Sequence, residues 1–278
     1  MISLNKNLGF MQGRLSSIID NMIQRFPIDN WESELILASK ENWHLMEWTI
    51  DYFTFNKNPI LQENFESKDF NGIEVNSITA DFFMQDPFFL STDSEKKKLL
   101  ISDLKKVINS MIKFKIKYLV LPLVDNASLK KNKVDEDDVI ENLNIIFNEF
   151  NQHDVEFIFE SDYEPKKLLN FIEKFNSNKV GINYDSGNSA SLGFDSETEI
   201  FTYGHWIKNC HLKDRILGGT TVKFGNGNVN FPKVLKCLNE IKYKNNFIIQ
   251  GARAENERHL EILNYYKDFI LKTIENEI

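Results

Sequence analysis

Residues 155–185 read VEFIFESDYEPKKLLNFIEKFNSNKVGINYD, and the way this stretch divides decides the fold. Its two ends, VEFIFE (155–160) and VGINYD (180–185), are short apolar runs rich in β-branched and aromatic residues, each closed by a carboxylate. Such runs read as strands. Between them Pro165 opens PKKLLNFIEKF, a helical pattern with proline in its favoured first-turn place. Strand, helix and strand in about thirty residues make a βαβ unit, which implies parallel strands joined by a right-handed crossover.

The same kind of run recurs along the chain, as LGFMQ (8–12), LMEWTI (45–50), IEVNSIT (73–79), KYLVLPL (117–123), IKNCHL (207–212) and FIIQ (247–250). Added to the first two, these predict eight strands. Apolar positions three and four apart predict helices through Leu100, Leu104, Val107, Ile108 and Met111, through Val139, Leu143, Ile146, Phe147 and Phe150, and through Leu260, Leu263, Tyr266, Ile270 and Ile274. Start signals mark further helices at Asp29 with Glu32, and at Asn230 with Pro232. The segment KKNKVDEDD (130–138) reads as a solvated loop running into a helix cap. Eight strand and helix units fit one closed (β/α)8 TIM barrel spanning residues 1–278. A doubly wound open sheet is the other arrangement, but no glycine-rich phosphate fingerprint follows the first strand.

Composition narrows the function. A formal charge of −8 and a pI near 5.3 argue against a nucleic-acid partner, which needs a basic face. No run reaches membrane-spanning length, and the N-terminal sequence lacks a basic head followed by an apolar stretch, so a cytoplasmic protein is expected. Cys210 and Cys237 form no CxxC pair and read as two inert buried thiols. The 23 phenylalanines can serve the core or an interface, which leaves a homo-oligomer open.

In such a barrel, catalytic groups come from the C-terminal ends of the strands. His44, His153 and His205 precede strands and His259 begins the last helix, so only His211 passes this filter. Glu160 closes the fifth strand, Asp185 the sixth and Gln250 the eighth, and His211 lies near the end of the seventh. The spacings of 25, 26 and 39 residues let the four converge on one rim. A Glu, an Asp, a His and an amide oxygen suit a single divalent ion such as Mn²⁺, Co²⁺, Zn²⁺ or Mg²⁺, and the two carboxylates would neutralise its charge. Taken singly, a strand-end acid such as Asp185 equally often caps the helix that follows. Other rim residues are Gln12, Arg14, Glu47, Asp51, Asp81, Asp125 and Asn126; Arg14, Lys213, Arg215 and Arg253 can hold a carboxylate or phosphate. The loop GGTTVKFGNGNV (218–229), with four glycines, reads as a lid, a phosphate cradle or a plain flexible connection.

The segments GFMQGRLS (9–16), FIFESD (157–162), INYDSGNSASLG (182–193), HLKDR (211–215) and FGNGNVNF (224–231) resemble the sugar isomerase/epimerase superfamily with the xylose-isomerase-like TIM barrel. Their D-x-G-N, H-x-K-D and F-G-x-G-x-V-x-F patterns are most similar to L-ribulose/L-xylulose 5-phosphate 3-epimerases. The resemblance implies a sugar or sugar phosphate as substrate. It also implies one divalent ion held by Glu, Asp, His and Glu, matched here by Glu160, Asp185 and His211. Substrate contacts fall on Gln12, Arg14, Glu47, Asp125, Asn188, Lys213, Arg215 and Arg253. In the mechanism this implies, Glu160 removes a proton beside a ketose carbonyl and a second glutamate returns one to the other face.

At the eighth strand this chain departs from that pattern, because Gln250 can offer an oxygen but cannot carry a proton. Losing an acid or base costs about 10²- to 10⁴-fold in rate. Three accounts follow: one-base chemistry by Glu160; a substitute acid, with Glu47, Asp125 or Asp162 as candidates; or a catalytically silent or altered sugar-binding barrel. An abasic-site endonuclease of the same barrel type is disfavoured by the single rim histidine and the acidic charge.

Overall fold

A computed structural model describes residues 6–277 except 176 and 255. Its barrel strands are β1 (Leu8–Met11), β2 (Leu45–Thr49), β3 (Glu74–Thr79), β4 (Tyr118–Leu123), β5 (Glu156–Ser161), β6 (Val180–Asp185), β7 (Ile207–Leu212) and β8 (Asn246–Ile249). All eight expected strands form, and they close in the order β1-β8-β7-β6-β5-β4-β3-β2 with every pair parallel. β4 and β6 are buried along their whole length. Parallel barrel strands are covered on both faces, which is why they read as continuous apolar runs.

The helices are α1 (Trp31–Lys40), α2 (Asp81–Gln85), α3 (Ser94–Phe114), α4 (Leu129–Asn132), α5 (Glu136–Glu149), α6 (Pro165–Glu173), α7 (Ser186–Leu192), α8 (Ser196–Tyr203), α9 (Phe231–Glu240) and α10 (His259–Glu277). The periodic positions of α3 are its buried ones, and those of α5 are buried from Val139 to Phe147. In α10, Leu263, Tyr266 and Ile270 pack into the core. Asn230 caps α9 by accepting the Lys233 amide at 3.0 Å.

Two local expectations change. Helix α1 begins at Trp31 with Asn30 at its boundary and no side-chain cap, so Asp29 does not start it. The segment 130–138 is not all loop: α4 ends inside it at Asn132, and Asp135 then caps α5 by accepting the Asp137 amide at 3.0 Å. The phenylalanines serve the core extensively, as in the buried Phe147–Phe157 stack and the Phe65, Phe70 and Trp48 edge-to-face group. Among the described residues no helix is long and apolar enough to cross a membrane.

Candidate metal centre

Parallel register sets the site. Asp185 stands opposite His211 and Asn183 opposite Asn209 across β6 and β7, and Glu160 is the last residue but one of β5 next door. One ligand atom from each of Glu160, Asp185 and His211 lies within 4.8 Å of the others, and all three residues are buried. His211 Nδ1 faces Glu160 Oε2 at 3.3 Å and Asp185 Oδ2 at 3.9 Å. Asp185 also caps α7, its Oδ1 accepting the Asn188 amide at 2.8 Å. Oδ1 is therefore the helix cap, and Oδ2 is the oxygen that faces His211.

Beneath this cluster is a layer of polar groups inside the barrel. Glu47 is fully buried, and its carboxylate faces His211 Nε2 at 2.8 Å, Ser77 Oγ at 2.7 Å, Asn209 Nδ2 at 2.8 Å and Thr79 Oγ1. Asn209 Nδ2 lies 2.9 Å from Asn183 Oδ1, and Asn183 Nδ2 lies 2.9 Å from Glu160 Oε2 and 3.0 Å from His211 Nδ1. With Nε2–H donated to Glu47, Nδ1 is the ring nitrogen that faces the acids and the one a metal would use. Burial alone would lower the His211 pKa, but Glu47 and Glu160 outweigh it and push it up to about 10. A metal binding there displaces a proton.

Asn183, Asn209, Ser77 and Thr79 belong to the centre without having been expected there. Their signal is the two-residue strand period: Asn183 precedes Asp185, Asn209 precedes His211, and Ser77 precedes Thr79 on the same inward face.

The fourth corner is more complicated. Lys213 Nζ lies 3.1 Å from Asp185 Oδ2 and 3.1 Å from Gln250 Oε1, so its ammonium joins the two. A divalent ion at this corner competes with Lys213 for both oxygens. Gly187 of the D-x-G-N segment makes room for that lysine, since a Cβ there would sit 2.7 Å from Lys213 Cγ. The donors fit a divalent ion: two carboxylates, an imidazole whose far nitrogen is held by Glu47 and an amide oxygen.

Above the centre opens a cavity of 380 Å³, lined among others by Arg14, Asp81, Asp125, Glu160, Asn188, Lys213, Arg215 and Gln250. Arg215 Nη1 donates to Asn188 Oδ1 at 2.7 Å, and Asn188 Nδ2 donates to Glu160 Oε1 at 2.5 Å. Arg14 is anchored by its Nε donating to Gly251 O at 3.0 Å. A larger cavity of 780 Å³ adjoins it through shared Asn21, Ile23 and Thr221 and carries Arg253, Arg258 and Lys223. The smaller one is the candidate reaction chamber, because its wall includes Glu160 and Gln250, two of the four candidate ligands. Three expected substrate contacts lie elsewhere. Glu47 is committed to His211 beneath the cavity, and Gln12 is fully buried with Oε1 accepting the Thr49 amide at 3.0 Å. Arg253 lines the larger chamber.

The glycine loop is not a plain connection, and its C-terminal half, residues 225–229, turns its amides inward. Asp214–Arg215 pairs antiparallel with Thr221–Val222, and the Asp214 carboxylate accepts the amides of Gly225 at 2.9 Å, Gly227 at 3.0 Å and Val229 at 3.1 Å. Those donors are spent inside the protein. Both cysteines are buried and free.

Residues 56–268 match the Xylose isomerase-like TIM barrel family, and the chain belongs to it. Within that class the comparisons are distant. An uncharacterized protein of Methanocaldococcus jannaschii is 28% identical over 110 residues, which is 38% of this chain and 38% of that relative's length. The fold is shared with the zinc-bound IOLI protein (TM-score 0.73, 17% identity, covering 98% of this chain and 99% of that one). It is shared too with D-psicose 3-epimerase of Clostridium cellulolyticum H10, solved with D-tagatose (TM-score 0.70, 12% identity, 96% and 99%). A third is a Xylose isomerase-like TIM barrel protein of Mycobacterium smegmatis in complex with magnesium (TM-score 0.68, 15% identity, 100% and 99%).

Proposed function

We propose that the chain, read as one barrel domain across residues 1–278 and as a cytoplasmic protein, is a divalent-metal-dependent isomerase or epimerase of a small sugar or sugar phosphate. The observation that carries this is the cluster of Glu160, Asp185 and His211 at one rim, with His211 Nδ1 turned toward the acids beneath a 380 Å³ cavity. Glu160, Asp185, His211 and the Gln250 oxygen would hold the ion. A bound divalent ion supplies Lewis-acid stabilisation of the negative oxygen that develops as the substrate loses its proton.

The protein's own groups do the rest. Glu160 takes the proton from the carbon beside the ketose carbonyl, and the Arg215–Asn188 chain fixes that carboxylate in place. Arg14 and Lys213 bring positive charge to the wall of the chamber and orient a polar, oxygen-rich substrate. The finer likeness to L-ribulose/L-xylulose 5-phosphate 3-epimerases rests on the D-x-G-N, H-x-K-D and F-G-x-G-x-V-x-F segments; Arg253, Arg258 and Lys223 in the adjoining chamber would receive a substrate's charged end. The test is metal analysis of the purified protein joined to deuterium exchange from solvent into a panel of ketoses and ketose phosphates. Bound metal lost in Glu160→Ala and His211→Ala, together with exchange, supports the reading; no exchange on any member refutes catalysis.

Gln250 favours a second reading, a sugar-binding barrel that has lost turnover. It predicts stabilisation by sugars without any exchange.

A further inference from the structure

We propose that Asp81, at the end of β3, is the second proton carrier of this site and supplies the proton that Gln250 cannot. The inference rests on the isomerase or epimerase reading and deepens it.

The carboxyls around the rim can be sorted by what they already hold. Glu47 has its oxygens occupied by His211, Ser77, Thr79 and Asn209. Asp51 accepts the amides of Phe26 and Thr54, each at 2.8 Å. Asp162 is held by Ser128 Oγ at 2.7 Å and does not line the chamber. Asp125 lines it, but its side chain is 76% exposed and reaches only Lys131 Nζ, at 3.9 Å. Asp81 alone both lines the chamber and is free: it is 5% exposed, Oδ2 is buried without a partner, and no hydrogen bond reaches its carboxyl among the described residues.

A buried carboxylate without a donor is costly, and the usual escape is to keep the proton. Burial, reinforced by the charges of Asp51, Glu160 and Glu47 and opposed by His211, pushes the Asp81 carboxyl up to about 8. Its place in the first turn of α2 works the other way, because helix N-termini favour carboxylates. That helix has five residues and aims no amide at the carboxyl, so burial wins. Asp81 and Glu160 thus face one chamber from strands separated by β4, which gives one carboxyl the place of the acid and the other that of the base.

In the step this implies, the C–H bond beside the carbonyl breaks, its proton passes to Glu160, and its electron pair forms the enediolate double bond. The Asp81 O–H then breaks and a new C–H forms at the same carbon from the other side. Glu160 is left protonated and Asp81 ionised, and exchange with solvent resets both.

The experiment compares the wild type with Asp81→Asn, Asp81→Glu and Glu160→Gln in deuterated water with Mn²⁺ and the panel of free and phosphorylated ketoses. We expect Asp81→Asn to lose product formation by about 10²- to 10⁴-fold while deuterium still enters recovered substrate. Asp81→Glu should recover part of the product rate, and Glu160→Gln should lose both signals. Product formation unchanged in Asp81→Asn, or both signals falling together, overturns the assignment. A wild type that exchanges with nothing overturns the isomerase reading itself, and the role of Asp81 with it. Infrared difference spectra give an answer independent of turnover and of whether Asp81→Asn folds well. In the difference between wild type and Asp81→Asn a protonated-carboxyl band is expected at neutral pH, fading as pH rises past about 8. A difference spectrum without that band also overturns the proposal.

Discussion

His211 Nε2 lies 2.8 Å from Glu47 Oε1, with neither side chain exposed, so the candidate ligand histidine is held from below by a carboxylate that never reaches the chamber. Glu47→Gln removes the carboxylate that holds Nε2–H, so the ring is less firmly turned toward the site and is a less basic ligand. Such outer partners are worth about 10- to 100-fold in metal affinity. Calorimetric titration with Mn²⁺ or Zn²⁺ should find a loss of that size in Glu47→Gln. Glu47→Ala should also unfold earlier in urea, by about 3–5 kcal/mol, since it strips the buried His211 of its nearer carboxylate. Equal metal affinity in the wild type and Glu47→Gln would separate Glu47 from ligation.

Lys213 holds Asp185 and Gln250 together at 3.1 Å each, which makes it a competitor for any ion at that corner. Removing its charge in Lys213→Met should tighten metal binding, on the order of tenfold, while weakening the binding of oxyanion-bearing sugars. Gln250→Glu should move metal affinity in the same direction by adding a third carboxylate. The same titration decides: unchanged or weaker affinity in Lys213→Met would mean that the lysine and the ion do not share Asp185.

The barrel was legible because strands buried on both faces write themselves as apolar runs, and eight of them alternate with helices. Glu160, Asp185 and His211 were legible because strand ends are where a barrel keeps its chemistry. The layer beneath was harder to see. Asn183 and Asn209 sit inside apolar runs, where one polar residue looks incidental until the two-residue period aligns it with the ligand above. The two-residue ribbon and the glycine loop had no local signal, because what orders them is one distant carboxylate, Asp214. Asp81 could be placed at the rim from its position after the third strand, but its lack of partners is a property of packing alone.

That carboxylate gives a third prediction. Asp214 is fully buried and gathers three loop amides, and a Cβ on Gly227 would overlap its Oδ1. Asp214→Asn keeps the shape but loses the charge and turns part of its amide toward N–H donors. A cost of about 1–3 kcal/mol in urea unfolding is expected. Gly227→Ala should cost a similar amount, about 1–3 kcal/mol, through overpacking. Because the loop borders Arg215, both variants should also become more sensitive to proteolysis between residues 216 and 229. Full stability in both would mean that the loop is ordered by something other than Asp214.

A pH dependence follows from Glu199 on α8, whose Oε1 accepts Ser189 Oγ and Tyr203 OH at 2.8 Å each while Oε2 is buried without a partner. Burial pushes this carboxyl up to about 7, above its unfolded value of 4.5. Between those two values the folded state holds a proton that the unfolded chain has released. Stability from this group is therefore complete below pH 4.5, falls as pH rises, and levels off above about 7. Glu199→Gln replaces the neutral acid with an amide of the same shape and removes the titration. Urea unfolding across that range should be flatter in Glu199→Gln than in the wild type, with the two curves diverging toward the alkaline end as the variant becomes the more stable. Parallel curves would mean that Glu199 is ionised in the folded protein and that its unpartnered oxygen carries no proton.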